Sequence, residues 1–382
     1  MKKLLSILLV IAWLCLSAGA MAEGEGSFAF VNASRVNLRK SPGGDIITRL
    51  DKDTCVAVID SQMRGDKLWH RVIASVDNDS KVWCGWMDAS FLTDVTSVYE
   101  NVVRAAVGNR HVLLRMEDGS VAAFGFPFRN NLDVDGWGRV RDVTAARFAS
   151  YGLSEDGMNV FGDAWNLPLG TLPLTSLHGN ASSDYVSAVT ASGRLVSSEN
   201  PFAGGGWYRP FSGSFDDAVI MDASTTVSVM AVVTEDHVLH VAVEADYIEG
   251  VVEAEGLAGV RDAVCAGRSV FALMEDGTVR CFGSFDWPLI ERVNGWRNVR
   301  CIAAGNGFVA ALLDDGTVSF AGSMSMRNWN YRVESSERRV NLQDEGMLAE
   351  WTDIVSIAAG DHILVGVTED GGIRIFAAFD YE

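Results

Sequence analysis

The stretch Ala303 to Gly322, AAGNGFVAALLDDGTVSFAG, has near copies at Cys265 to Gly283, CAGRSVFALMEDGTVRCFG, and at Ala358 to Ala377, AAGDHILVGVTEDGGIRIFA. A unit repeated along one chain constrains the fold severely. One such unit cannot bury its faces alone, so the copies must stack or close into a ring. Aligned on the acidic-Gly turn, clear copies stand at Gly119, Gly157, Gly277, Gly316 and Gly371, each preceded by Asp. Gly193 after Ser192 marks a weaker copy, and Asp236-His237 occupies the place of another. The separations are 38, 36, 44, 40, 39 and 55 residues.

The phase of the apolar residues supports this alignment. Twenty residues before the five clear glycines stand Tyr99, Trp137, Leu257, Trp296 and Trp351, all large and apolar or aromatic. Ten or eleven residues before four of them stand Gly108, Gly267, Gly305 and Gly360, with Ala146 in that place in the second copy. Each unit reads as an aromatic anchor, a buried strand ending in small residues, a second apolar strand, an Asp-Gly turn and a third strand. Val309–Leu313, Asp314-Asp315-Gly316 and Thr317–Phe320 form a β-hairpin by composition. Gly supplies the positive φ of such turns. Ala303, Ala304 and Gly305 suit a place where neighbouring sheets crowd together.

The order W-x-x-I/V…A-A-G…D-G…F-G resembles the repeats of the regulator of chromosome condensation family. It is clearest at Trp296–Gly322 and Trp351–Ala377, then at Leu257–Gly283 and Tyr99–Gly125. The resemblance implies a seven-bladed β-propeller over residues 98–382. The weak third and fourth copies leave six blades open. Family repeats often carry a His after the first Gly, and His111 and His362 fall near that place; satisfying buried backbone groups is the simplest role for them.

Before the repeats, residues 27–96 hold short apolar runs broken by turns, among them Cys55–Ile59, Leu68–Ile73 and Val82–Met87. These are strands of a small bent barrel. Val36-Asn37-Leu38-Arg39 with Ser41-Pro42, then Leu68-Trp69-His70-Arg71-Val72, then Gly85-Trp86-Met87 with Phe91-Leu92, resemble bacterial SH3-like domains. That resemblance implies a non-catalytic module over residues 23–97, of a kind often bound to cell-wall peptide or glycan. The fold expected of the whole chain is all-β: a small SH3-like barrel followed by a propeller.

Residues 1–22 read as a signal peptide. Lys2 and Lys3 precede an apolar run from Leu4 to Leu16, and Ala20-Met21-Ala22 offers a cleavage site. That run is short of the ~20 residues a membrane span needs. The expectation is a bacterial protein, secreted or associated with the cell envelope. The chain carries 31 basic and 50 acidic residues, a formal charge of −19. Phosphate backbones demand basic surfaces, so nucleic-acid binding is excluded from the expectation, and an anionic membrane is a poor partner for the same reason.

Five cysteines follow the signal segment. Cys55 and Cys84 lie in one small domain and are candidates for a disulfide, with free thiols as the alternative. Cys265, Cys281 and Cys301 sit in apolar runs as buried thiols, without zinc-ligand spacing. The sequence contains no GxSxG, HExxH or phosphate-loop pattern. His237 and His240, three apart on a strand, face opposite sides. Acidic pairs such as Glu117-Asp118 and Glu275-Asp276 recur at all the clear turns, which suits turn chemistry better than one asymmetric acid–base site.

Trp165, Trp207 with Tyr208, Trp287 and Trp329 stand outside the repeat phase, in variable segments after the third strand. Such loops gather on one face of a propeller, and a flat ring gives contact area at low entropic cost. They are the candidate ligand-binding residues; the alternative is that each plugs its own blade edge. The functional expectation is an exported, non-enzymatic binding or scaffold protein without a cofactor. Its partners would be cell-wall peptide or glycan, or another extracellular protein. The competing expectation is an extracellular propeller hydrolase or lyase, which would show an asymmetric cluster of carboxylate, Tyr and Arg at the channel mouth.

Overall fold

A computed structural model describes residues 26–76, 81–162, 173–181, 186–197, 219–226, 229–243, 250–284, 287–322, 324–325, 339–340 and 348–378. Residues 1–22, expected to be a signal peptide, lie outside this set. The described residues are almost entirely β-structure.

The first seven strands make one antiparallel sheet. They are β1 (Ser27–Val31), β2 (Val36–Arg39), β3 (Ile46–Leu50), β4 (Cys55–Arg64), β5 (Lys67–Val76), β6 (Lys81–Asp88) and β7 (Leu92–Asp94), in the order β3-β2-β6-β5-β4-β1-β7. Side chains alternate across a strand, and both faces of β4 are apolar. Val56 and Val58 turn inward to Leu38, Val72 and Met87, the domain's own core. Cys55 and Ala57 turn outward, with Phe28, Ile73 and Val95, into a core shared with the repeats.

The candidate Cys55–Cys84 bridge is not formed; both thiols are free. Cys55 begins β4, Cys84 lies in β6, and β5 runs between them, with Ile73 paired to Cys84 on one side and to Ala57 on the other. Two strand spacings alone amount to roughly 9–10 Å, already beyond the Cα separation a disulfide spans. Burial pushes the Cys55 thiol up to about 12. Cys265, Cys281 and Cys301 are free as well.

The repeats form seven antiparallel sheets of three strands, with a fourth two-residue strand, Leu257–Ala258, on one of them. The inner strands are Val102–Val107, Val140–Ala145, Leu174–Gly179, Ile220–Thr225, Val260–Ala266, Val299–Gly305 and Ile354–Ala359. Each inner strand packs on the next, and the seventh packs on the first, so the ring is closed. Seven blades are present. The long 55-residue separation holds an additional ribbon, Met324–Ser325 with Arg339–Val340, between blades six and seven.

One hydrogen bond recurs at every junction. The carbonyl of the turn residue accepts from the first amide of the next inner strand. Gly119 accepts from Val140, Gly157 from Leu174, Gly193 from Ile220, His237 from Val260, Gly277 from Val299, Gly316 from Ile354, and Gly371 from Val102, all at 2.8–3.0 Å. The last of these closes the ring. The Asp before the turn residue fixes the turn. Asp118, Asp276 and Asp315 each accept from the amide and hydroxyl two residues on, at 2.6–3.0 Å. These donors hold their carboxyls below the usual range. His237 adopts φ 61° where six other blades place Gly, which is why the fourth copy was hard to read. At the other end of the inner strands, a Cβ on Gly305 would collide with the Gly360 carbonyl, and one on Gly360 with that of Gly108. The expected crowding of small residues is found there.

Trp137 and Trp351 are packed against their own blades, whereas Leu257 lies in the added strand that pairs with Leu239 of blade four. Trp296 and Trp351 are buried. The Trp351 ring lies on Gly366, where a Cβ would come within 2.8 Å, and Trp137 lies on Gly152 in the same way.

The small sheet is joined to the ring at the seam between blades one and seven. Gly26 pairs with Ala377 of the last strand through bonds of 2.6 and 3.2 Å. Phe28 packs edge-on against Phe124 and Phe126 of blade one, at 5.6 and 5.9 Å between centroids. The same core contains Val102, Val107, Ile363 and Val365.

Candidate functional site: the loop face and the channel belt

Two places concentrate chemistry. The first is the end of the ring opposite the Asp-Gly turns. There each inner strand turns into the middle strand, and the outer strands finish, at Gly125 opposite His111, Gly283 opposite Ser269 and Gly322 opposite Phe308. The long connections between blades therefore leave from this face. Trp165, Trp207, Tyr208 and Trp329 lie on those connections and outside the described residues. Trp287 opens a short helix, Trp287–Asn294, whose Val293 is buried between blades five and six; the Trp287 side chain itself lies outside the described set.

Beside these connections sits a cluster that the sequence reading missed. Phe128 and Phe148 lie 4.7 Å apart between centroids. The Arg129 guanidinium stands 5.4 Å over Phe128, and that of Arg147 stands 4.8 Å over Phe148. Buried Asn131 pins the loop. Its amide donates to the Phe126 carbonyl at 3.1 Å, its side-chain oxygen accepts from the Phe128 amide at 2.9 Å, and its carbonyl accepts from Ser150 at 2.6 Å. Next to it, the Asn109 backbone amide donates to the Arg147 carbonyl at 3.2 Å, while the Asn109 side chain donates to Asp361 of blade seven. His111 is fully buried under Gly108, and burial pushes its pKa down to about 4, so it is neutral.

The second place is a belt on the inner strands. Every inner strand has a bulge after its first residue, and the residue following the bulge is Arg104, Asp142, Ser176, Asp222, Asp262, Cys301 or Ser356. A bulge leaves backbone groups unpaired, and Asp142 and Asp222 each accept from the amide of the next residue at 2.9 Å. Asp142 also pairs with Arg104 at 3.1 Å and accepts from the Leu177 amide at 3.0 Å, tying three blades together. Asp222 meets the His178 ring at 3.2 Å and hydrogen-bonds Asp262. Burial, then the neighbouring Asp222 charge, push Asp262 well above the carboxylate range. Burial acts on Asp222 too, but the bond and charge of His178 outweigh it and hold Asp222 low.

The belt occupies one repeat position in every blade, as a structural ring does. It contains no Tyr. Among the described residues no group of His, Cys, Asp and Glu is arranged to hold a metal ion, and no helix is long and apolar enough to cross a membrane. His240 binds Glu255 at 2.8 Å, and His237 stands 3.4 Å from Glu275.

No protein family matches the chain by its sequence pattern, and no curated protein matches it in sequence. Its backbone is similar to the ectodomain of receptor kinase CR4 from Physcomitrella patens, at 14% identity and TM-score 0.49, over 73% of this chain and 74% of that one. It is also similar to the CRINKLY WD40 ectodomain of ACR4 from Arabidopsis thaliana, at 11% identity and TM-score 0.48, over 74% and 98%. A third likeness is to Prp20p from Saccharomyces cerevisiae, at 16% identity and TM-score 0.38, over 72% of each chain. These likenesses concern the fold alone, and the propeller rests on the seven sheets themselves.

Proposed function

We propose that the chain is an exported, non-enzymatic binding and scaffold protein. In this reading the loop face of the propeller recognises a protein, peptide or glycan, and the small N-terminal sheet is an SH3-like module that associates with cell-envelope peptide or glycan. The observation that carries it is the Arg129–Phe128–Phe148–Arg147 stack, held in place by buried Asn131 on the face where the connections gather. Aromatic faces backed by guanidinium groups offer both apolar contact and directed donors, which is recognition chemistry. The belt supports the same reading, because its carboxylates are committed to bulge amides and neighbouring blades.

The test is co-sedimentation of the chain from residue 23 onward with insoluble cell-wall sacculi. Both parts are kept together because they share a core. Retention that weakens when Phe128 and Arg147 are replaced by Ala supports the loop face as part of the recognition surface. Passage of the unaltered chain into the supernatant removes the envelope reading. The hydrolase or lyase alternative draws on one observation, the hydrogen-bonded Asp222–Asp262 pair beside His178. Release of soluble wall fragments that stops with Asp222→Asn would establish that alternative instead.

A further inference from the structure

The small sheet has one open edge. Its order leaves β3 and β7 at the two ends. β7 has only three residues and leads directly to Val95, which is buried in the core shared with the propeller. No described strand pairs with the outer side of β3, and none of its residues belongs to the shared core. Along β3 runs a groove of about 560 Å³, lined by Arg35, Ile46, Ile47, Thr48, Arg49 and Asp51. Four of these six are consecutive residues of the strand, so the groove follows its backbone. Ile46 is 43% exposed beside it.

An unpaired strand edge presents amide and carbonyl groups that another extended chain can pair with. Many proteins block such edges, yet no described strand blocks this one. Its charge departs from that of the rest of the molecule. From Arg35 to Asp53 there are five basic and three acidic residues, whereas the remainder of the chain carries 26 basic and 47 acidic ones. Arg35 and Arg49 are exposed at the groove. Arg49 spends one donor on the Asn37 side chain at 3.0 Å, and a guanidinium has several more.

We propose that the open edge of β3 is a strand-addition site for an extended acidic peptide segment of a partner protein. This deepens the reading of the small sheet as a recognition module and rests on it. Backbone pairing with β3 supplies affinity, Arg35 and Arg49 select acidic side chains toward one end of the strand, and Ile46 takes an apolar side chain at the other. A five-residue strand accommodates roughly five to six residues of partner at ~3.3 Å each.

The probe is a fluorescein-labelled peptide of alternating Val and Glu, roughly eight residues long, titrated with the chain from residue 23 onward and followed by anisotropy. The expected result is saturable binding in roughly the micromolar range. The affinity should fall at least about tenfold for the same peptide N-methylated at alternate amides, and similarly for an Arg35→Glu/Arg49→Glu double variant. Both arginines are exposed, and an unchanged melting temperature confirms that the variant is folded. The Val-Lys analogue should not bind. Absence of binding up to about 1 mM, equal affinity for the N-methylated peptide, or equal affinity in the double variant overturns the proposal. Sacculus retention separates the two readings: retention with no peptide binding removes the groove and leaves envelope association, whereas peptide binding without retention does the reverse.

Discussion

Asp262 is a buried acid that keeps its proton well above the ordinary value of 3.8. The unfolded chain releases that proton near 3.8, so across the window between 3.8 and the raised folded value the folded state binds more protons. Stability from this group is complete below 3.8 and is lost as pH rises through that window. Asp262→Asn keeps a neutral partner for Asp222 and removes the loss. It is expected to raise the melting temperature by about 1–3 °C near neutral pH, with a gain that shrinks toward pH 4. Thermal denaturation of both proteins across this pH range checks the prediction, and a gain independent of pH would count against the shared proton. Trp351 offers a simpler case. Its ring rests on Gly366 in a buried site, so Trp351→Ala should cost about 3–5 kcal/mol in urea denaturation. The anchors were legible because an aromatic at fixed phase needs only counting. The belt was nearly as countable: fifteen residues before the turn residues stand Arg104, Asp142, Asp222, Asp262, Cys301 and Ser356, and only the third blade departs, with Ser176 seventeen residues before Gly193. Their variety of side chains hid them from a search for sameness. The Phe128–Phe148 stack left no such trace, since it is made by two unrelated loops meeting in space.

The Asp-Gly turn is the element that carries the fold. It closes a hairpin within its own blade and presents one carbonyl to the next. Gly is needed at Gly371 twice over: its φ is 80°, and a Cβ would come within 2.8 Å of Asn101. Gly371→Ala should therefore cost roughly 2 kcal/mol, more than the ~1 kcal/mol of an αL alanine in open space, which Gly256→Ala supplies as a control (φ 75°, no neighbour). The fourth blade should behave in the opposite sense. His237 already stands at positive φ, so His237→Gly is expected to be neutral or to stabilise by up to about 1 kcal/mol. Chemical denaturation of the three variants measures this contrast. The sequence showed the turns in five blades plainly. It showed them poorly in the third and fourth, because the turn conformation persists there while Ser192 replaces the usual Asp in one and His237 replaces the usual Gly in the other. The choice between a disulfide and free thiols at Cys55 and Cys84 stayed open for a related reason: a shared domain does not specify strand order, and only the order places β5 between the two cysteines.

At the scale of the whole molecule, the ring is closed by the Gly371–Val102 bond and covered at that seam by the small sheet. The seal was foreshadowed by β4, whose Cys55-Val56-Ala57-Val58 run is apolar on both faces and so needs a partner on each. Sequence patterns give the presence of a second buried face, not the identity of what covers it. Phe28→Ala, at the centre of this seam, should lower stability by about 3–5 kcal/mol and loosen blades one and seven more than blades three to five. Seven blades form a closed ring, each stapled to the next by the same bond. Hydrogen exchange at the seven staple amides, Val102, Val140, Leu174, Ile220, Val260, Val299 and Ile354, tests it most directly. A closed ring predicts that Val102 is protected as strongly as the amides of the other clear copies. Exchange at Val102 that is fast while the remaining six stay protected would show an open ring and contradict the account.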